Sequence, residues 1–422
     1  MQLSGMKKIA IIGGGIIGLS TAYYLNKAGH TVTIYDKGNL NDNCSIGNAG
    51  MIVPSHIIPL AAPGMISKGI RWMFNAKSPF YVKPRLSGNL IRWGMKFYAH
   101  ANHEHVARSI PLLKEISAMS KLLYRELAAE NQFDFGYQER GLLMLYQTHE
   151  TEREEIEAAA LANKHGVQAH VLSPVEVQQM EPNVRVNARG AIFFPGDAHL
   201  DPPKLISNLL HYLKLRGVKI FADTKVEDFV IDGNNLTAIK IGNASFTFDE
   251  YILATGAWSG IFCSRLDIDL PMQSGKGYSF TLPDVVKNVS TPSLLLEGRV
   301  AVTPIGSSLR FGGTMEIGDT DRSINMNRVR GIVETVPKYY PDMKVQVPKE
   351  QAVWSGLRPC SPDGLPYIGR CTRYKNLIIS SGHSMMGMSL GPATGKLVSE
   401  IVNEETSSMD IRGFNPERFG KR

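Results

Sequence analysis

Cysteine is scarce in this chain. Its 422 residues hold four, Cys44, Cys263, Cys360 and Cys371, with no C-x-x-C pair and no metal-ligand spacing to histidine. That excludes a disulfide scaffold and a structural metal centre, and it points to free thiols in a reducing compartment, hence the cytoplasm. Long hydrophobic runs are missing as well. Stretches such as Ile9 to Ile17 and Val300 to Val302 fall far short of the roughly 20 apolar residues that a membrane-crossing helix needs. Two lysines, Lys7 and Lys8, precede the first stretch in the manner of a signal peptide, but three glycines interrupt it and no small-residue cleavage site follows. Met1 to Gly5 precede a second methionine, Met6, and read as an alternative start. Charge of one sign is in only modest excess, +7, so a nucleic-acid partner is not implied. With 43% hydrophobic and 20% charged residues the composition is that of a globular protein with room for two domains. Neither a coiled coil nor a disordered chain fits.

What is present starts at the N-terminus. Lys7 to Ile12 is a short β-branched run, followed at once by Gly13-Gly14-Gly15-Ile16-Ile17-Gly18, which opens a helical stretch that Gly29 would end. A second β-branched run, Thr31 to Tyr35, ends in Asp36, 23 residues after Gly13. Strand, glycine turn, helix, strand and acid thus fall in the register of a dinucleotide-binding βαβ unit. Gly13 permits the tight turn, Gly15 lets the backbone approach a pyrophosphate, and Gly18 lets helix and strand pack closely. The helix start offers free N–H groups and a positive dipole. Asp36 is placed to accept hydrogen bonds from ribose hydroxyls. FAD is preferred to NAD because no second G-x-G-x-x-G occurs and because Cys44-Ser45-Ile46-Gly47-Asn48-Ala49-Gly50-Met51 reads as a loop that wraps a long cofactor. Tyr251-Ile252-Leu253-Ala254-Thr255-Gly256 reads as a late core strand that closes the cofactor sheet.

Further segments extend the pattern: Asn48-Ala49-Gly50 followed by Ala61-Ala62-Pro63-Gly64, Gly275-Lys276-Gly277-Tyr278-Ser279, Phe311-Gly312-Gly313-Thr314-Met315-Glu316, Gly356-Leu357-Arg358-Pro359 with Pro362-Asp363-Gly364, and Ser381-Gly382-His383. On these the chain resembles the D-amino-acid oxidase superfamily over nearly its whole length, and within it the D-amino acid dehydrogenase small subunit and glycine oxidase. Ala61 to Trp72 looks more like the dehydrogenase branch. The resemblance implies an α/β (α+β) fold: a discontinuous Rossmann-like FAD-binding domain, 1–57 with 190–265 and 351–422, and a substrate domain with a large antiparallel sheet, 58–189 with 266–350. Patterning agrees, with strands expected over Thr224 to Val230, Thr237 to Ile241, Ala301 to Pro304 and Leu309 to Gly313. Helices are expected over Leu112 to Ala129, Glu150 to His165, and Pro392 to Val402 after a glycine-rich loop from Gly382 to Gly391. By the same resemblance FAD lies, non-covalently, against Gly13, Gly15, Ile16, Ile17, Gly18, Asp36, Lys37, Ser45, Asn48, Ala49, Gly50, Met51, Val226, Thr255, Gly256, Gly382, His383, Gly387 and Met388. Cys360 does not match the attachment position of sarcosine oxidase relatives.

The activity implied is oxidation of a D-amino acid to its imine, with electrons passed to a quinone or another carrier. D-proline or a hydroxyproline isomer as substrate and oxygen as acceptor are the near alternatives. Such chemistry asks chiefly for orientation, and a carboxylate substrate asks for a guanidinium fork, the role of Arg358. A structural arginine bonded to loop carbonyls is the competing reading. A second arginine, found in glycine oxidases after the glycine–histidine pair, is absent from His383-Ser384-Met385-Met386-Gly387. The aromatic hydroxyl expected near Ala301 is also missing, so the pocket is roomier and more apolar. Tyr278 supplies a hydroxyl or is a packed strand tyrosine. His56 stands where the dehydrogenase branch tends to have tyrosine, near the pocket mouth. Lys68, Arg71, Lys77, Lys83, Arg85, Arg92 and Lys96, interleaved with Trp72, Met73, Phe74, Phe80, Tyr81, Trp93, Phe97 and Tyr98, suit a patch on the inner face of the cytoplasmic membrane or a buried helix with solvated lysines. A flavoprotein without catalysis, its FAD serving assembly of a partner complex, is the reading from a different class. Arg358 and the intact flavin-facing loop argue against it.

Overall fold

The computed structural model describes residues 5–64, 79–82, 87–318 and 320–420. Its first layer is a six-stranded sheet ordered Tyr367–Arg370, Leu377–Ser381, Glu250–Leu253, Lys8–Ile12, Thr31–Tyr35, Lys219–Phe221. All neighbours run parallel except Tyr367–Arg370 against Leu377–Ser381. The central strands are short, β-branched and buried almost throughout, as a parallel sheet covered on both faces requires. From Lys8–Ile12 the chain moves one way to Thr31–Tyr35, and the strand on the other side, Glu250–Leu253, arrives more than 200 residues later. The carboxyl ends of that pair therefore form a topological switch point, the usual crevice for a ligand in an open α/β sheet.

The helix Ile16–Lys27 packs along Gly387–Asn403. Gly395 is required there, since a Cβ on it would stand 2.5 Å from the Ser20 backbone. The helix expected from Pro392 begins earlier, at Gly387. Proline cannot donate to the carbonyl four residues back, Met388 O, and the Tyr124 hydroxyl donates to that oxygen instead at 2.6 Å. The surrounding core joins Ile9, Ile11, Leu19, Ile34, Leu397 and Val398.

The second layer is a nine-stranded sheet. Trp354–Cys360, Gln273–Leu282, Ser308–Gly318, Val300–Ile305, Ser293–Leu295, Leu142–Tyr146, Gly190–Phe194 and His170–Leu172 follow in order, with Phe80–Val82 beside Ser308–Gly318. It is mostly antiparallel, with parallel pairings of Ser293–Leu295 to Leu142–Tyr146 and of Phe80–Val82 to Ser308–Gly318. Two strands assigned by sequence to the nucleotide side, Gly190–Phe194 and Trp354–Cys360, belong to this sheet, because each completes its hydrogen bonding there. A three-stranded meander, Asp228–Asp232, Asn235–Ile241 and Ala244–Phe246, stands apart. The strand expected over Thr224 to Val230 starts only at Asp228. The preceding residues are drawn toward the glycine turn, where Thr224 N donates to Asp36 O at 2.7 Å.

Candidate active site

A cavity of about 930 Å³ runs from the switch point to the large sheet. At the switch point, Asp36 Oδ2 accepts from Gly14 N at 2.6 Å and Oδ1 from Gly38 N at 2.8 Å, so the acid braces the turn through both oxygens. Each oxygen retains a lone pair for a ribose hydroxyl. Ser45 Oγ accepts from Ile16 N at 3.0 Å and places a hydroxyl at the helix start. Beside it the Lys37 ammonium sits 3.3 Å over the Trp258 ring, its pKa lowered by burial. With Val226, Thr255, Gly256, Ile261 and Phe262, Trp258 makes a largely apolar part of the cavity wall. Sequence reasoning missed Trp258, although it lies three residues beyond Thr255.

The wrapping loop is fixed by side chains that the motifs did not flag. Arg310 Nη1 donates to Ile46 O at 3.0 Å and to Asn48 O at 2.8 Å, and Arg322 pairs with Asp42 at 2.8 Å. Asn48 Oδ1 accepts from Gly50 N at 2.8 Å. Trp354 is seated between two glycines. A Cβ on either Gly47 or Gly356 would lie 1.9 Å from its ring. Met51, Ala49, Gly387 and Met388 line the same stretch, and His383 closes it. The His383 ring is buried and neutral, with its pKa pushed down to about 3, its Nε2 is 3.0 Å from Thr394 Oγ1, and its Nδ1 has no partner among the described residues. Trp354 Nε1 is also buried without a partner among the described residues. Unpartnered donors and acceptors, a helix start and an apolar stretch of wall along one cavity match a ligand combining phosphates with heteroaromatic rings.

Of the residues expected to hold the cofactor, Gly18, Gly50 and Gly382 do not reach the cavity wall; the others do. These three act behind the wall. A Cβ on Gly18 would meet Gly13 O at 1.9 Å, one on Gly50 would meet Leu200 O at 2.3 Å, and one on Gly382 would meet the Tyr367 ring at 2.5 Å.

At the far end stands Arg358. Its guanidinium lies flat over Gly277, where any Cβ would be 2.1 Å from Nη1, and Nη1 donates to Thr314 O at 2.8 Å. Thr314 has φ +67°, uncommon for a branched residue. The strand pairing shifts register between Lys276 and Tyr278 at the same place, so a bulge turns this carbonyl toward the arginine. Nε and Nη2 have no partner among the described residues, and burial lowers the group's pKa. Tyr278 is in the cavity wall, but its hydroxyl donates to Glu316 at 2.5 Å and accepts from Asn325 N at 3.2 Å, which favours the packed strand tyrosine over a hydroxyl offered to a substrate. His56, Arg299 and Ala301 also line the cavity. Cys360 is fully buried and does not reach the cavity.

A family model described as FAD dependent oxidoreductase matches residues 8–401. The chain belongs to that family. Among curated relatives, D-amino acid dehydrogenase of Granulibacter bethesdensis is 29% identical over 409 residues, covering 96% of this chain and 97% of that protein. D-amino acid dehydrogenase of Helicobacter pylori is 29% identical over 400 residues, covering 94% and 95%. Glycine oxidase from Geobacillus kaustophilus superposes with a TM-score of 0.77 at 24% identity, covering 98% of this chain and 99% of its own. L-proline dehydrogenase from P. horikoshii gives 0.72 at 19%, covering 99% and 98%. At those identities the two structures establish the shared fold. As a member of this family the chain is an FAD-dependent oxidoreductase with a Rossmann-like cofactor fold and a second, sheet-based layer.

Proposed function

We propose that this oxidoreductase is a D-amino acid dehydrogenase, and that Arg358 at the end of the cofactor cavity is the observation that carries the reading. FAD held without a covalent bond supplies the hydride acceptor when bound. Gly13, Gly15 and the start of the Ile16–Lys27 helix would hold its diphosphate, Asp36 its ribose, the residues around Trp258 its adenine, and His383, Gly387 and Met388 the far ring. Arg358, with Nη1 anchored on Thr314, uses its remaining donors to clamp the substrate carboxylate and fix the plane of Cα. Ala301 and the absence of a second arginine after His383 leave space for a side chain or a ring, which favours substrates larger than glycine, D-proline or a hydroxyproline isomer included.

Reoxidation by a quinone or another carrier, at the inner surface of the cytoplasmic membrane, is supported by the helix Gly88–His100. It leaves Ile91, Met95 and Tyr98 exposed along one side. Trp93 and Phe97, expected in the same patch, turn inward instead: Trp93 Nε1 donates to Cys360 O at 2.9 Å and Phe97 stacks on its ring. Lys68, Arg71, Trp72, Met73, Phe74, Lys77, Lys83 and Arg85 lie outside the described residues. No described helix is long and apolar enough to cross a membrane. The deciding experiment mixes FAD-loaded protein anaerobically with a panel of D- and L-amino acids and follows flavin bleaching, then adds a soluble quinone or oxygen. Bleaching by D-amino acids and faster recovery with quinone are expected. Bleaching by none would favour a flavoprotein without catalysis.

A further inference from the structure

The clamp leaves a buried carboxylate without a task. Asp197 is 1% exposed and pairs with no cation among the described residues. The two-stranded pairing of Met51–Ile52 with Ala198–His199 sets the turn after the first strand beside the turn before the second. There Ser55 N donates to Asp197 Oδ1 at 3.0 Å and Ser55 Oγ to Asp197 Oδ2 at 2.5 Å. Ser55 Oγ also lies 3.1 Å from His56 Nδ1, and His56 is in the cavity wall. Ser55 has a single hydroxyl proton, and an ionised carboxylate can only accept. The hydroxyl therefore points at Asp197 and receives the Nδ1 proton of His56, which leaves a lone pair on Nε2. Nε2 has no partner among the described residues.

We propose that His56, Ser55 and Asp197 form a proton relay that removes the proton from the substrate's ammonium group. His56 is its catalytic base, and Ser55 and Asp197 are positioning residues acting through it. The inference rests on the reading that the substrate is an amino acid, whose nitrogen lone pair must be free before hydride can leave Cα. An ammonium N–H bond breaks as its proton moves to His56 Nε2. The Nδ1 proton passes to Ser55 Oγ, and the hydroxyl proton passes to Asp197 Oδ2. The electron pair stays on nitrogen, so a neutral amine and a carboxylic acid replace an ammonium and a carboxylate, with no redox change. The charges facing the chain are Lys121, toward Asp197 and itself 3.1 Å from Glu139, and Arg299, toward His56. Burial pushes the Asp197 carboxyl up to about 7, so it can keep a proton. Burial and Arg299 lower the His56 ring to about 4, so it passes the proton on.

Asp197→Asn reverses the chain. A carboxamide donates to Ser55 Oγ, the hydroxyl turns to His56 Nδ1, and Nε2 becomes the protonated nitrogen, unable to accept. Flavin-reduction rates are measured anaerobically in the FAD-loaded full chain from pH 6 to 10, with D-proline and D-alanine as probes. The wild-type rate should rise and level off near pH 7 to 8. Asp197→Asn and Ser55→Ala should each fall roughly 10²-fold at pH 7, with the deficit closing as pH rises toward the pKa of the free ammonium. The double variant should be no worse, and Ser55→Thr should recover most of the rate. Nitrogen-15 spectra of the histidines, with His56→Gln for assignment, should show His56 protonated on Nδ1 in wild type at pH 8 and on Nε2 in Asp197→Asn. A loss equal at every pH, or an unchanged tautomer, overturns the relay. If neither probe bleaches wild type, the relay's catalytic role falls with the amino-acid reading, and the tautomer measurement decides the hydrogen-bond chain by itself.

Discussion

A single guanidinium separates a substrate clamp from a structural arginine, and the local geometry provides both. Arg358 lines the cavity with one nitrogen tied to Thr314 O and the other two without a partner among the described residues, which holds the fork without exhausting it. Arg358→Leu should therefore cost carboxylate substrates about 3 kcal/mol in kcat/KM, roughly a hundredfold, the order of lost charged hydrogen bonds. Steady-state comparison of an amino acid with its amine lacking the carboxylate checks this: the amine should lose little, and an equal loss for both would reject the clamp. The Arg358 motif was legible in the sequence. Thr314 was not seen as its anchor, because a positive φ at a branched residue arises from the bulge between paired strands and has no local signature. Between the two readings of Tyr278 the sequence did not decide, for a related reason. Strand register hands its hydroxyl to Glu316 from the neighbouring strand, and no spacing within its own segment records that.

Within the glycine turn, the three fingerprint glycines are not equivalent, although the motif lists them alike. Gly13 has φ +113° and its Cβ would lie 2.3 Å from Ala254 O, while the Cβ of Gly18 would lie 1.9 Å from Gly13 O. Around Gly15 the nearest atom is Ser45 Oγ at 3.5 Å, an ordinary contact. Gly13→Ala and Gly18→Ala should lower stability by at least about 2 kcal/mol, since backbone must move to admit a methyl group. Gly15→Ala should fold with an unfolding midpoint near that of wild-type apoprotein and bind FAD more weakly, because the methyl group occupies the diphosphate approach. Thermal unfolding of the apoproteins and FAD titration separate the two effects. A Gly15→Ala protein as unstable as the other two would show that the turn cannot take any side chain.

Across the whole molecule the cofactor cavity is bounded by segments from both ends and the middle of the chain, so its wall exists only once both sheets have packed. The exposed edge of the Gly88–His100 helix is the feature that belongs to the molecule as an object in the cell. Arg92 on it pairs with Asp269, and Lys96 donates to Phe419 O at 3.3 Å, so attraction to anionic lipid from this helix is partly satisfied internally. Binding to vesicles should then depend on Ile91, Met95 and Tyr98 more than on charge. Co-sedimentation with anionic vesicles should persist in high salt and fall in a variant carrying serine at these three positions. No sedimentation in either salt would remove the membrane surface from the proposal.

The sequence by itself determined the parts whose physics is local. A strand, a glycine turn, a helix, a second strand and an acid lie within three dozen residues, and glycine, β-branched and acidic residues each leave a mark at their own position. It also pointed to Arg358 through a short motif and to His56 through the family resemblance. Only the tertiary structure decided which sheet receives Gly190–Phe194 and Trp354–Cys360, that Trp258 and Trp354 line the large cavity, and that Tyr124 supplies the hydrogen bond lost at Pro392. It alone joined Asp197 to Ser55 across 142 positions of chain. Such pairings depend on strand register and helix contact between distant segments, and the interaction is stored in their meeting, not in either segment alone.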